Sequence, residues 1–198
     1  EHLRSANLET WEAARTHPMT DAIASGTVPH DAMRKYLIQD HKFLDAFVAL
    51  LASMVAKAPT LEDRIPGCQF LGLLTGKENT YFERSMEALG ITAEDRSHEP
   101  LPVAQAFIEL MREAAQGSLA EALAVLVVAE WSYLAWAERV HPARAAGLPF
   151  WCGEWIDLHR GEYFESVVGY LRGLLDRIAP GLSSEELGLA QARFAQAI

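Results

Sequence analysis

Cysteine is scarce: Cys68 and Cys152 are the only two in 198 residues, far apart and set among apolar neighbours. A disulfide framework needs more pairs, so both read as reduced core thiols of a cytoplasmic protein. Basic clusters are missing as well. Seventeen Lys and Arg stand against 27 Asp and Glu, a formal charge of −10. Such a chain repels nucleic acid and anionic lipid, which are bound through grouped cations. There is no N-terminal signal pattern, and no apolar segment stays free of charge for the roughly 20 residues of a membrane span. The alternating pattern of strands is almost absent, and there is no internal repeat, low-complexity tract or interdomain linker.

What the chain does have is apolar residues recurring at intervals of three and four, with 50% hydrophobic composition. That predicts an all-α fold, one helical bundle over residues 1–198. The first helix is expected over about Ala6 to Thr16, and a short one around Met19 to Ala24 ends at Gly26. A long helix from near Pro29 to Lys57 follows, then one from about Gly67 to Leu89 set off by Pro66. Further helices are expected over Val103 to Gln116, Ala120 to His141, Phe150 to His159 and Glu162 to Ile178. Ser183 and Glu186 form a capping-box pattern that opens a last helix, which Ile198 cuts off.

The Ala120 to His141 stretch is apolar on nearly every side, and Glu130 is the one charged residue between Glu121 and Glu138. Such a helix is central and buried, so Glu130 points into protein whichever way the helix turns. Two more carboxylates fill core positions. Asp40 interrupts the seam Met33, Leu37, Leu44, Phe47, Leu51, Met54, and Glu78 interrupts the seam Cys68, Leu71, Leu74, Tyr81. Arg34 and Arg84, the nearest cations, fall on other faces, which leaves the acids without partners. Like charges in one low-dielectric pocket cannot all ionise, so at least one carboxyl should hold its proton near neutral pH. This is the requirement for general acid and base work.

Aromatic residues flank these acids: Tyr36 and Phe43 around Asp40, Trp131, Tyr133 and Trp136 after Glu130, and Trp151, Trp155 and His159 at steps of four. Together they suit a flat heteroaromatic ligand that stacks on rings while its nitrogens bond to a carboxylate. A di-iron centre on a helical bundle needs paired Glu-x-x-His motifs, and only Glu138-x-x-His141 fits, at a helix end. A metal-dependent oxidase is therefore the weaker reading, and no resident metal or cofactor is expected.

Trp11, Thr16-His17-Pro18, Gly26-Thr27-Val28, Tyr36 through Leu44 with its Gln39-Asp40 pair, and Glu130 through Trp136 resemble TenA proteins, the thiaminase II family of the haem-oxygenase-like fold. The resemblance covers essentially the whole chain. It is to the glutamate branch, because Val128-Ala129 stands where the other branch has Pro-Cys, and Glu130 is followed by Tyr133. The resemblance implies salvage of thiamin-derived aminopyrimidines, with the amine at the exocyclic methylene replaced by hydroxyl, and removal of a formyl group from the N-formyl precursor. It implies that Asp40 holds the aminopyrimidine edge, Glu130 acts as acid and base, Tyr133 orients substrate or leaving group, and Glu78 assists. Tyr36, Phe43, Phe107, Trp136 and His159 would then shape the substrate pocket. Phe43, Phe107 and His159 depart from the tyrosines common at those places, and the family's C-terminal Glu followed by Phe-Trp would fall beyond Ile198. A homo-oligomer, dimer or tetramer, is implied too. A pyrimidine-binding or regulatory protein without turnover is the alternative.

Overall fold

A computed structural model describes residues Glu1–Ile198, and the chain is all-α. Its helices are α1 (His2–Ala6), α2 (Leu8–Arg15), α3 (Pro18–Ser25), α4 (His30–Lys57), α5 (Leu61–Leu73) and α6 (Asn79–Ala88). They continue as α7 (Ala93–Ser97), α8 (Pro102–Gln116), α9 (Leu119–Val140), α10 (Phe150–Leu158), α11 (Gly161–Ile178) and α12 (Ser184–Ala197). One π-helical turn, Leu74–Glu78, joins α5 to α6.

Local chemistry sets the ends of these elements. The Ser118 hydroxyl accepts from the Glu121 amide while the Glu121 carboxylate accepts from the Ser118 amide, and Ser183 with Glu186 caps the start of α12 in the same reciprocal way. Each arrangement satisfies donors that a helix start would otherwise leave bare. Gly26 ends α3 with φ of 72°, a left-handed conformation that a side chain would strain.

Helix α9 is the axis of the bundle, packed against α4, α11 and α12. Fifteen of its residues are buried, including the unbroken run Ala120 to Trp131. With its short extension to Ala143 it is long and apolar enough to cross a membrane, contrary to the expectation that no segment would be. Its apolarity is instead used inside the protein, since 72% of that window is covered. Leu50, Leu51, Met54, Phe70, Leu123 and Leu126 are fully enclosed around it. Each such side chain contributes about 1.5–3 kcal/mol relative to exposure. Leu44 and Tyr133 pack against both this core and the second one, built from Met33, Leu37, Tyr81, Phe82 and Trp155, so the carboxylate-bearing helices run along the seam between the two cores.

Three expectations are corrected. The first helix is broken at Asn7, whose side-chain amide donates to the Leu3 carbonyl, so α1 and α2 replace one element. The helix expected to follow Pro66 starts at Leu61, capped by Thr60, and contains Pro66. The proline costs little there, because the carbonyl it leaves unpaired belongs to exposed Glu62, within reach of water. Cys68 is exposed, whereas Cys152 is buried as expected. The inward face of α5 carries Gly67 and Phe70, and Cys68, one residue past Gly67, is turned about 100° away from it.

Candidate functional site

Asp40 on α4, Glu78 at the end of the π turn, and Glu130 at the middle of α9 line one small hollow together with Phe43, Leu44, Phe47, Leu74, Ala129, Tyr133, Trp155 and His159. The acids are 5, 8 and 7% exposed, so all three are effectively removed from bulk water. No arginine or lysine reaches them. Arg34 bonds to the Leu89 carbonyl and Asp95, and Arg84 bonds to Glu154.

Asp40 alone among the three receives a side-chain hydrogen bond, from the Tyr133 hydroxyl at 2.6 Å. Behind it the donors form an ordered chain. The Trp155 indole N–H meets the Tyr36 hydroxyl at 3.2 Å, and Tyr36 meets Tyr133 at 3.2 Å. An indole nitrogen only donates and an ionised carboxylate only accepts, so the proton order runs Trp155 to Tyr36 to Tyr133 to Asp40.

This difference in partners separates the acids. Burial pushes the Asp40 carboxyl up to about 7, and the Tyr133 hydrogen bond holds it back. Burial first, then the Asp40 charge, lifts Glu78 to about 8. Glu130, in the middle of the apolar helix, is raised well above the carboxylate range by burial and then by the charges of Glu78 and Asp40. Asp40 is therefore the first of the three to ionise, while Glu130 keeps its proton at neutral pH. Two groups of opposite readiness, a carboxylate and a carboxylic acid, share one hollow.

His159 closes the hollow from the C-terminal end of α10. Its Nδ1 lies 2.8 Å from the Trp155 carbonyl, which can only accept, so Nδ1 carries the hydrogen. Burial lowers its pKa to about 4, and the ring is neutral under ordinary conditions, stacked on Tyr133 with centroids 4.4 Å apart.

The hollow measures about 20 Å³, room for one water and not for a pyrimidine. Asp40 and Phe43 also border an outer cleft of about 650 Å³, whose walls include Tyr36, Phe107 and Leu110. Phe43 and Phe107 meet edge to face, centroids 5.4 Å apart, at this junction. For a ring to reach Glu130 from the cleft, the aromatic pair has to part.

Of the residues singled out from sequence, Asp40, Phe43, Glu78, Glu130, Tyr133 and His159 line the inner hollow. Tyr36 and Phe107 face the outer cleft. Trp136 lines neither. It is buried behind the hollow, 6.1 Å from the Tyr133 ring and 6.2 Å from His159, and supports them rather than meeting a ligand. Trp155, one of the aromatics set at steps of four with Trp151 and His159, lines the hollow and also anchors the hydroxyl chain, a role that the spacing does not reveal. Glu138 and His141 are turned to structural pairing. Glu138 accepts from the Gly161 amide, His141 faces Asp157 at 4.0 Å, and no three acidic, histidine or cysteine side chains anywhere are grouped to hold a metal ion.

The chain is similar to known proteins over most of its length. The TENA/THI-4/PQQC family model matches residues 5–198. A protein of Halalkalibacterium halodurans named aminopyrimidine aminohydrolase is 28% identical over 178 residues, 89% of this chain and 80% of that relative. Its namesake in Bacillus subtilis is also 28% identical, over 194 residues, 93% of this chain and 78% of the relative. A TenA homologue from Pyrococcus furiosus shares the fold with a TM-score of 0.89 at 22% identity, covering 100% of this chain and 93% of that one.

Proposed function

The chain belongs to the TENA/THI-4/PQQC family, and from that membership we propose that it is a cofactor-free hydrolase of thiamin-derived aminopyrimidines, exchanging an amine for hydroxyl at the exocyclic methylene. The observation that carries this reading is the pairing of an ionisable Asp40, held by Tyr133, with a Glu130 that keeps its proton, in a hollow with no counter-cation. The names of the curated relatives support the same substrate class.

In this reading the Asp40 carboxylate accepts hydrogen bonds from the amino edge of the pyrimidine, while Phe43, Tyr36 and Phe107 present rings to its faces. Glu130 donates its proton to the departing amine as the methylene C–N bond breaks. Water then forms the new C–O bond and returns a proton to the Glu130 carboxylate, so the acid is restored and ammonia leaves. Glu78 raises the proton affinity of Glu130 by its proximity, and Tyr133 fixes Asp40 as the anion of the set. The same acid and base serve hydrolysis of an N-formyl amide, in which water attacks the formyl carbon.

Ammonia release from aminomethyl-aminopyrimidine tests the proposal. Turnover should be lost in Glu130→Gln and weakened in Asp40→Asn; wild-type turnover in both variants would remove the mechanism. Tight binding of the pyrimidine by wild-type protein with no product formed would mark a binding protein instead.

A further inference from the structure

A second cavity, of about 230 Å³, lies where α1, α9, α11 and α12 meet, and it shares no wall residue with the acidic hollow. Its interior is apolar, with Leu3, Val127, Leu175, Leu182 and Phe194 among its walls. Two guanidinium groups stand at one side. Arg172 lies 3.9 Å and Arg4 5.0 Å from the centre of the Trp131 ring. Stacking on the ring fixes both planes, as cation–π contacts do.

The two arginines are incompletely used. The Nε of each is buried and makes no hydrogen bond. What they do hold is a carboxylate of the same chain: Glu1 bridges them, one oxygen 2.7 Å from Arg172 and the other 3.3 Å from Arg4. Glu1 is 61% exposed, and ion pairs in such a position contribute little. Asp176 and His2 complete the polar rim. The arrangement is a carboxylate clamp over an apolar chamber, with a weakly held internal group in the clamp.

We propose that this cavity binds a small amphipathic carboxylate, its head between Arg4 and Arg172 in place of the Glu1 side chain and its short aliphatic tail against Leu175, Leu182 and Phe194. The volume falls below the range usual for drug-sized ligands, which restricts the tail to a few carbons. The apolar lining disfavours a bare inorganic anion, and the paired guanidiniums disfavour a neutral or cationic head.

Calorimetric titration of the purified chain with hexanoate, followed in parallel by tryptophan emission, tests the assignment, with hexan-1-ol and inorganic phosphate as comparators. Hexanoate should saturate a single site and bind more tightly than either comparator. Loss of one charge-assisted contact in Arg172→Gln or Arg4→Gln should weaken it by about tenfold or more. Glu1→Gln, which frees the clamp, should strengthen it. Absence of saturable binding, equal binding of hexanol or phosphate, or undiminished binding in folded arginine variants would overturn the proposal. Association with the acidic hollow instead would survive Arg4→Gln and count against it equally. Arg4 belongs to the five-residue α1, which adds no residue to the buried core, so its variant remains informative if Arg172→Gln fails to fold.

Discussion

The hydroxyl of Tyr133 lies 2.6 Å from Oδ1 of Asp40, joining the middle of α9 to the middle of α4 by one charge-assisted hydrogen bond. It holds the Asp40 carboxyl below where burial alone would put it, whereas Glu78 and Glu130, also buried, receive no such bond.

Removing the bond should shift the acid limb of the pH–rate profile. In Tyr133→Phe the Asp40 carboxylate loses a donor worth about 1.5–3 kcal/mol to a charged acceptor, or roughly one to two pH units. The acid limb of kcat/KM should move upward by that amount, with reduced activity at pH 7. An unshifted limb would mean that Asp40 is not the group titrating there.

Glu130→Gln should separate catalysis from stability. The amide keeps the shape and loses the transferable proton, so kcat should fall by about 10²–10⁴. Thermal stability above neutral pH should hold or rise, because the wild-type group is raised chiefly by the cost of ionising in a buried place. A large loss of stability in this variant would point to a structural role.

The same burial sets the pH dependence of folding. Asp40 and Glu78 take up protons in the folded state up to about 7 and about 8, far above the 3.8 and 4.5 of the unfolded chain. Within that window the folded state binds more protons than the unfolded one, so stability falls as pH rises, by about 1.4 kcal/mol per pH unit for each group in its window. His159 works in the opposite sense. Its folded value of about 4 lies below 6.5, so its contribution is lost as pH falls from 6.5 toward 4. Chemical denaturation from pH 4 to 9 should show stability falling up to about pH 8, where the Asp40 and Glu78 contribution levels off, with a shallower fall in Glu78→Gln.

Metal removal should leave activity unchanged. No three ligand-type side chains are grouped to hold an ion, and the acid and base proposed are carboxyls. Dialysis against a chelator, with elemental analysis of the product, checks this; loss of activity restored by one divalent metal would require a different mechanism.

Much of the site was legible because a buried acid stands out against an apolar seam. Asp40 and Glu130 each interrupt a run whose neighbours all point inward, and the structure places both in the hollow. Glu78 was found by its four-residue step from Leu74, although that step lies in a π turn. Four residues slightly exceed one α turn and fall short of one turn of the wider π coil, so the side chain returns to the same face in either geometry. The Trp155 bond to Tyr36 and the packing role of Trp136 were not legible, since only tertiary contacts tell a wall from a prop. Pro66 misled because a proline inside a helix costs little where the carbonyl it leaves unpaired, here that of Glu62, is exposed to water.

The π turn at Leu74–Glu78 carries one more residue than a regular coil spanning the same height. Deleting a single residue there would leave α5 and α6 both helical and yet rephase everything downstream by about 100°. Tyr81 and Phe82 would swing out of their packing on Trp155, and the third acid would be aimed at a different neighbour. The spare residue thus works as a setting screw: it lets one continuous rod present an apolar face to α4 before the turn and an aromatic face to α10 after it.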